Sequence, residues 1–209
     1  VEKEASFDRP RMIEAVPATA DGGSVTADGN LNIENSAKFI GADKTGFTGL
    51  GMKIGVIDTG IDYTHAMFGG AGTPEAYAAI DPAKPFAGFP TAKVINGIDL
   101  VGSDYNTSSG DYTQHIPNPD ANPLDEARHG THVSGTIAGV GDGVNTYSGV
   151  APDASLVPIK VFGRVGSTGE TIVVAALEYA ANPARNGDLH DQLDVVNISL
   201  GSTYGQPHI

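Results

Sequence analysis

The chain has 209 residues, 40% hydrophobic and 18% charged, an ordinary globular composition that suits one domain around one sizeable core. A formal net charge of −13 and a pI near 4.6 argue against nucleic acid or an anionic membrane surface as partner, because both are polyanions, and no run is long and apolar enough for a transmembrane helix. The absence of cysteine excludes disulfides and a thiol nucleophile and leaves the compartment open.

Val1 to Asn30 mixes charge with Pro10, Pro17 and the Gly22-Gly23 pair and has no helical or strand period, so it reads as an extended arm. The chain starts without Met or a signal-like apolar segment, as expected of a processed or excised piece. Asn32 to Ala42 is expected to form a short helix, with Ile33, Ala37 and Ile40 at helical spacing. Gly46, Gly49 and Gly51 then turn the chain into the next element. A dinucleotide loop follows its strand, whereas this cluster precedes one, so it is not a nucleotide fingerprint.

Met52 to Ile57 is a short apolar run that reads as a buried strand, and Asp58 stands at its carboxyl end, the edge where sites assemble in open parallel sheets. Asp58, Asp62 and His65 can be drawn as a metal cluster, but three polar loop residues are more simply solvated, and no metal is expected. Lys93 to Leu100 reads as another strand. Residues 102–128 form a long polar loop with Asp104, Asp111, Asp120, Asp125 and Glu126. Either its acidic end lines a cleft and favours basic groups on a substrate, or the loop is a surface excursion.

Arg128 to Gly139 is expected to be a helix despite its glycines. Gly130, Ser134 and Ala138 fall on one stripe, and Thr131, Gly135 and Gly139 on the next, so the helix can approach a sheet closely. His129 lies in its first turn, where the helix dipole disfavours imidazolium and a carboxylate such as Asp58 would favour it. A general base near neutrality needs that balance. His129-x-x-His132 also suggests two metal ligands, but the metalloprotease helix uses His-Glu-x-x-His; His132 is more simply a buried structural histidine.

Val140 to Ser148 is a glycine-rich loop, and Leu156 to Phe162 is a strand. Ser167 and Glu170 have capping-box spacing ahead of a helix to about Ala181. Its buried stripe should be Ile172, Val173, Ala176, Leu177 and Ala180. Leu193 to Leu200 is the last strand, and the alternation of strands and helices predicts a parallel sheet covered on both faces. Ser199 lies in Asn-x-Ser-x-Gly, near the nucleophile elbow of α/β-hydrolases. That elbow needs a helix directly after the serine, and residues 202–207 are a poor helix start.

Residues 54–62, Ile-Gly-Val-Ile-Asp-Thr-Gly-Ile-Asp, and 129–136, His-Gly-Thr-His-Val-Ser-Gly-Thr, resemble the Asp and His motifs of the subtilisin-like serine proteases, or subtilases. The resemblance covers roughly Asn35 to Gly201. It implies an α/β fold with a three-layer parallel sheet and helices on both faces, here incomplete. The family's Gly-Thr-Ser-Met-Ala motif is absent from the chain, and the asparagine of the oxyanion hole would be expected beyond Ile209. Residues 1–34 are then an extended amino-terminal arm, and 35–209 the amino-terminal part of the peptidase domain. Val1-Glu2-Lys3-Glu4 is somewhat similar to a propeptide tail, which would place a propeptide junction in the arm; a plain linker is the simpler reading.

What the resemblance implies is a secreted serine endopeptidase acting on polypeptides through Asp58, His129 and a serine outside this chain, so that the fragment alone is inactive. Gly166, Ser167 and Gly169, with Ser199, Leu200 and Gly201, would form the two walls of the substrate groove and pair with an extended peptide by strand addition. No cofactor is expected for catalysis, and calcium, which some family members carry in the loop equivalent to Val140–Ser148, would be structural. Two rivals stand beside this reading: a metal-dependent hydrolase using His129 and His132, and a non-catalytic, subtilase-like domain that binds peptides.

Overall fold

A computed structural model describes residues 12–15 as backbone, together with 37, 40–144 and 147–202. Among these residues the strands are β1 (Met12–Ala15), β2 (Lys53–Asp58), β3 (Ile98–Asp99), β4 (Ser155–Lys160), β5 (Thr168–Gly169), β6 (Val195–Ile198) and β7 (Leu200–Gly201). The α-helices are α1 (Pro74–Ala78), α2 (His129–Ala138) and α3 (Glu170–Ala181). No helix among the described residues is long and apolar enough to cross a membrane. The expected helix over Asn32–Ala42 lies largely outside the described residues.

β2 and β4 are runs of β-branched and apolar residues buried almost throughout, the pattern of strands covered on both faces. They pair in parallel from Lys53↔Ser155 to Asp58↔Lys160, and β6 adds in parallel to the other side of β2. With β3 they form a sheet of order β3-β4-β2-β6. Alternate side chains face opposite layers. Ile54, Val56 and Leu156 pack with Val133, Ile137 and Ala138 of α2. Ile57, Val157 and Ile159 pack with Ala176, Tyr179 and Ala180 of α3. Each such fully buried side chain contributes roughly 1.5–3 kcal/mol. The three-layer α/β arrangement with helices on both faces follows directly.

Several local expectations yield to tertiary context. The strand expected over Lys93–Leu100 shrinks to β3 plus an isolated bridge, Val94↔Leu156. Pro158 in β4 has no N–H for this ladder, and the register slips by one residue between Val94↔Leu156 and Ile98↔Ile159. The capping box at the start of α3 does not form: Gly169 is the N-cap with no side-chain bond. Ser167 instead meets Thr107 and Ser108 through their hydroxyls. The buried face of α3 is rotated toward Tyr179, leaving Leu177 43% exposed. The long loop is ordered, with a 3-10 turn at Tyr112–His115 and an antiparallel bridge between Asp99 and Asp120.

Candidate active site

β2 delivers Asp58 to the carboxyl edge of the sheet, and α2 begins with His129. What lets them meet is Gly130. A Cβ there would lie 2.2 Å from the Gly60 carbonyl oxygen and 3.2 Å from the Asp58 Cβ, so only a residue without a side chain allows the helix this close to the strand end. His129 Nδ1 lies 2.7 Å from Asp58 Oδ1, and the same oxygen accepts the Thr59 backbone N–H at 2.7 Å. A carboxylate only accepts hydrogen bonds, so Nδ1 carries the proton, and in the neutral ring the free lone pair is then on Nε2. The Asp58 side chain is fully buried and the His129 side chain 13% exposed. Burial pushes the Asp58 carboxyl above its usual range, against the hydrogen bonds from His129 and Thr59 that stabilise the anion.

β5, β1 and β7 form a second, antiparallel sheet in which β1 lies between the other two. Its register is Met12↔Gly169 and Ile13↔Thr168 on one side, Glu14↔Gly201 and Ala15↔Leu200 on the other. Gly169, Leu200 and Gly201 thus pair with the chain's own arm. Gly166 and Ser167 lead into β5. Gly166 has φ 95°, and a Cβ there would sit 1.9 Å from Asn106 Oδ1, so this turn requires glycine. Ser199 lies between β6 and β7, and its hydroxyl accepts from Asn197 Nδ2 at 2.8 Å. A strand, not a helix, follows it, and the elbow geometry is therefore missing.

The acidic end of the long loop does not present free carboxylates. Asp125 is 2% exposed, and both of its oxygens accept hydrogen bonds from the protein itself. Glu126 lies between two cations, 4.0 Å from Lys160 Nζ and 3.9 Å from Arg164 Nε. Lys160 is itself buried, 3.0 Å from Asp99. His132 is exposed rather than buried and, with His65, Met67, Phe68 and Tyr77, borders an open cavity of about 650 Å³. Its helix turns it away from the sheet, because the small stripe of α2 occupies the packed face. His65 Nδ1 accepts from the Met67 N–H, and Asp62 Oδ1 from Thr64. Among the described residues no three His, Asp, Glu or Cys side chains are arranged to hold a metal ion, so His129 and His132 acquire no third ligand.

The sequence alone leaves Asp125 as either a cleft-lining or a surface residue and does not single out Thr59 or Thr131 beside the dyad. The available signal was an acid four positions before the helix-starting histidine and a hydroxyl two positions after it, a capping pattern displaced from its usual spacing.

The Subtilase family model matches residues 49–208. The minor extracellular protease Vpr of Bacillus subtilis is 34% identical over 84% of this chain and 17% of its own length. Subtilisin DY of Bacillus licheniformis is 33% identical over 79% of the chain and 44% of its own. The chain therefore spans less than half the length of either relative. A crystal structure of a cold-adapted subtilisin-like serine proteinase aligns at TM-score 0.39 and 26% identity, covering 65% of this chain and 34% of that one. With the family model matched across most of the sequence, this chain belongs to the subtilase family.

Proposed function

We propose that the chain is the amino-terminal part of the catalytic domain of a secreted serine endopeptidase, with Asp58 and His129 as two members of its triad. The observation that carries this reading is the 2.7 Å contact between Asp58 and His129 Nδ1. Asp58 holds the imidazole in one tautomer, so that Nε2 removes the hydroxyl proton of a serine as its oxygen attacks the peptide carbonyl. The imidazolium, stabilised by Asp58, then returns that proton to the leaving amine. The nucleophile and the asparagine donor of the oxyanion hole come from sequence outside this chain, and the 209-residue piece alone does not turn over peptide. No cofactor enters this chemistry, and any bound calcium is structural.

The groove between Gly166–Gly169 and Ser199–Gly201 takes an extended polypeptide by strand addition. That β1 lies between these segments supports the reading, and it supports the arm as a propeptide that occupies the groove until a maturation cut. Secretion is inferred from likeness to an extracellular relative.

A fluorophosphonate probe, which labels only an activated serine, tests the assignment on the longer protein. Labelling and peptide hydrolysis that both disappear in His129→Ala are expected. Peptide binding without labelling would favour a non-catalytic peptide-binding domain. Stoichiometric labelling of Ser199 in the 209-residue chain would overturn the fragment reading.

A further inference from the structure

We infer that Asp125 is a positioning residue for the reaction, fixing the imidazole of His129 by tying together the three backbone segments that meet around it. The inference rests on the protease reading above. Asp125 Oδ1 accepts from the Ala127 N–H at 2.9 Å, the Arg128 N–H at 2.8 Å and the Thr59 hydroxyl at 2.8 Å. Oδ2 accepts from the Thr131 N–H at 2.9 Å and the Thr131 hydroxyl at 2.6 Å. Five donors saturate one buried carboxylate, and each belongs to a segment that bears on the dyad.

The two threonines extend its reach. Having donated to Asp125, the Thr59 hydroxyl accepts the Gly130 N–H at 2.8 Å, and the Thr131 hydroxyl accepts the Asp62 N–H at 2.9 Å. Residues immediately before and after His129 are thus anchored, through one carboxylate, to the loop that follows Asp58. The helix needs such an anchor from outside. Its N-cap, Arg128, is left-handed at φ 75° and supplies no side-chain cap, a conformation a non-glycine residue adopts only when its surroundings hold it. The free N–H groups of the first turn would otherwise lack partners. Asp125 performs the capping from four residues upstream and sets the angle at which His129 leaves the backbone.

Among the described residues none of this network's hydrogen bonds reaches segments 166–169 or 199–201, so its loss should appear in kcat and leave KM alone. In the longer, serine-containing protein, Asp125→Asn keeps the shape but removes one acceptor oxygen. A fall in kcat of about 100-fold is expected, the size associated with a misplacement of about 1 Å, with KM within about twofold. The downfield Nδ1 proton of His129 should shift or broaden. Thr59→Val, which spares Asp125 itself, should lower kcat in the same direction, and the double variant should lose no more than Asp125→Asn alone, because both cut one network.

An unchanged kcat in Asp125→Asn with only a lower Tm would reduce the residue to loop support and overturn the proposal. So would a raised KM at constant kcat, or strictly additive losses. Full activity in His129→Ala would instead defeat the protease reading itself, independently of any Asp125 result.

Discussion

The start of α2 meets the sheet differently from α3 on the opposite face. On the α3 face, Tyr179, Ala176 and Ala180 meet Ile57, Val157 and Ile159 through side chains, and such contacts adjust by rotamer when a residue changes. On the α2 face, the start of the helix lies against the backbone at Gly60, with no side chain between. Backbone cannot give way without moving the strand or the helix. The start of α2, which carries His129, therefore has the least room to shift, and positional precision falls where the proposed chemistry would need it.

The sharpest break in this comparison is functional. Asp58→Asn in the longer protein should lower kcat on the order of 10⁴-fold, and His129→Ala on the order of 10⁶-fold, sizes measured when these triad members are removed from subtilisin, a relative of this chain. Ile159→Val on the other face should cost about 1 kcal/mol of stability and leave kcat per folded molecule unchanged. Because burial raises the Asp58 pKa, keeping its carboxylate ionised in the fold at neutral pH costs stability, and Asp58→Asn should unfold no earlier than the parent at neutral pH. Peptide kinetics and thermal melts on the same samples check both halves.

Removing the arm should act on the groove and not on either face. A tethered segment competes at an effective concentration on the order of 1 mM, so a variant starting after Val16 should bind an extended peptide at least tenfold more tightly by titration. Equal affinity in both forms would show that β1 does not compete for that groove.

Glycine substitutions sharpen the contrast within α2 itself. In an open helix, alanine is better than glycine by about 0.5–1 kcal/mol. At Gly135 the nearest atoms to an added Cβ are those of Met67, at 3.8 and 3.9 Å, and Gly135→Ala should raise Tm. At Gly130 the nearest atom is backbone at 2.2 Å, and Gly130→Ala should destabilise by about 1–3 kcal/mol through overpacking. It should also lower kcat in the longer protein.

The smallest effect concerns Asp120, whose pKa is raised by burial, against a hydrogen bond from the Asn122 N–H. A raised folded pKa favours folding fully below the unfolded value of about 3.9, and this contribution is lost as pH rises through the folded pKa. Asp120→Asn should therefore have the higher Tm at neutral pH, with the difference vanishing toward about pH 3. A difference that grew on acidification would reverse the sign of the burial effect.

Much of the fold was legible because its cues are local. The apolar run before Asp58 and the small-residue stripes after His129 are patterns within one element, and each places its polar residue at an end without reference to the rest of the chain. Proximity of the two residues followed from one packing rule, since a helix with glycine at its first contact must lie close to what it covers. Other positions were decided by partners distant in sequence. Pro158 shortened a strand sixty residues earlier, and Tyr179 displaced Leu177 from the buried stripe.

Asp125 and Lys160 show the limit most clearly. A charged residue in a polar loop and one at the end of an apolar strand give no local sign of burial, because burial of a charge is costly unless it is paired. Whether a pair exists depends on Thr59, Thr131 and Asp99, which only the folded chain brings within hydrogen-bond distance. The sequence by itself determined the strand before Asp58, the helix after His129 and where those two residues stand on them, through periodicity and the absence of side chains at key positions. The tertiary structure alone decided which acids turn inward, where His132 points and that β1 lies between residues 168–169 and 200–201, because each of those depends on the free energy of a contact between distant segments.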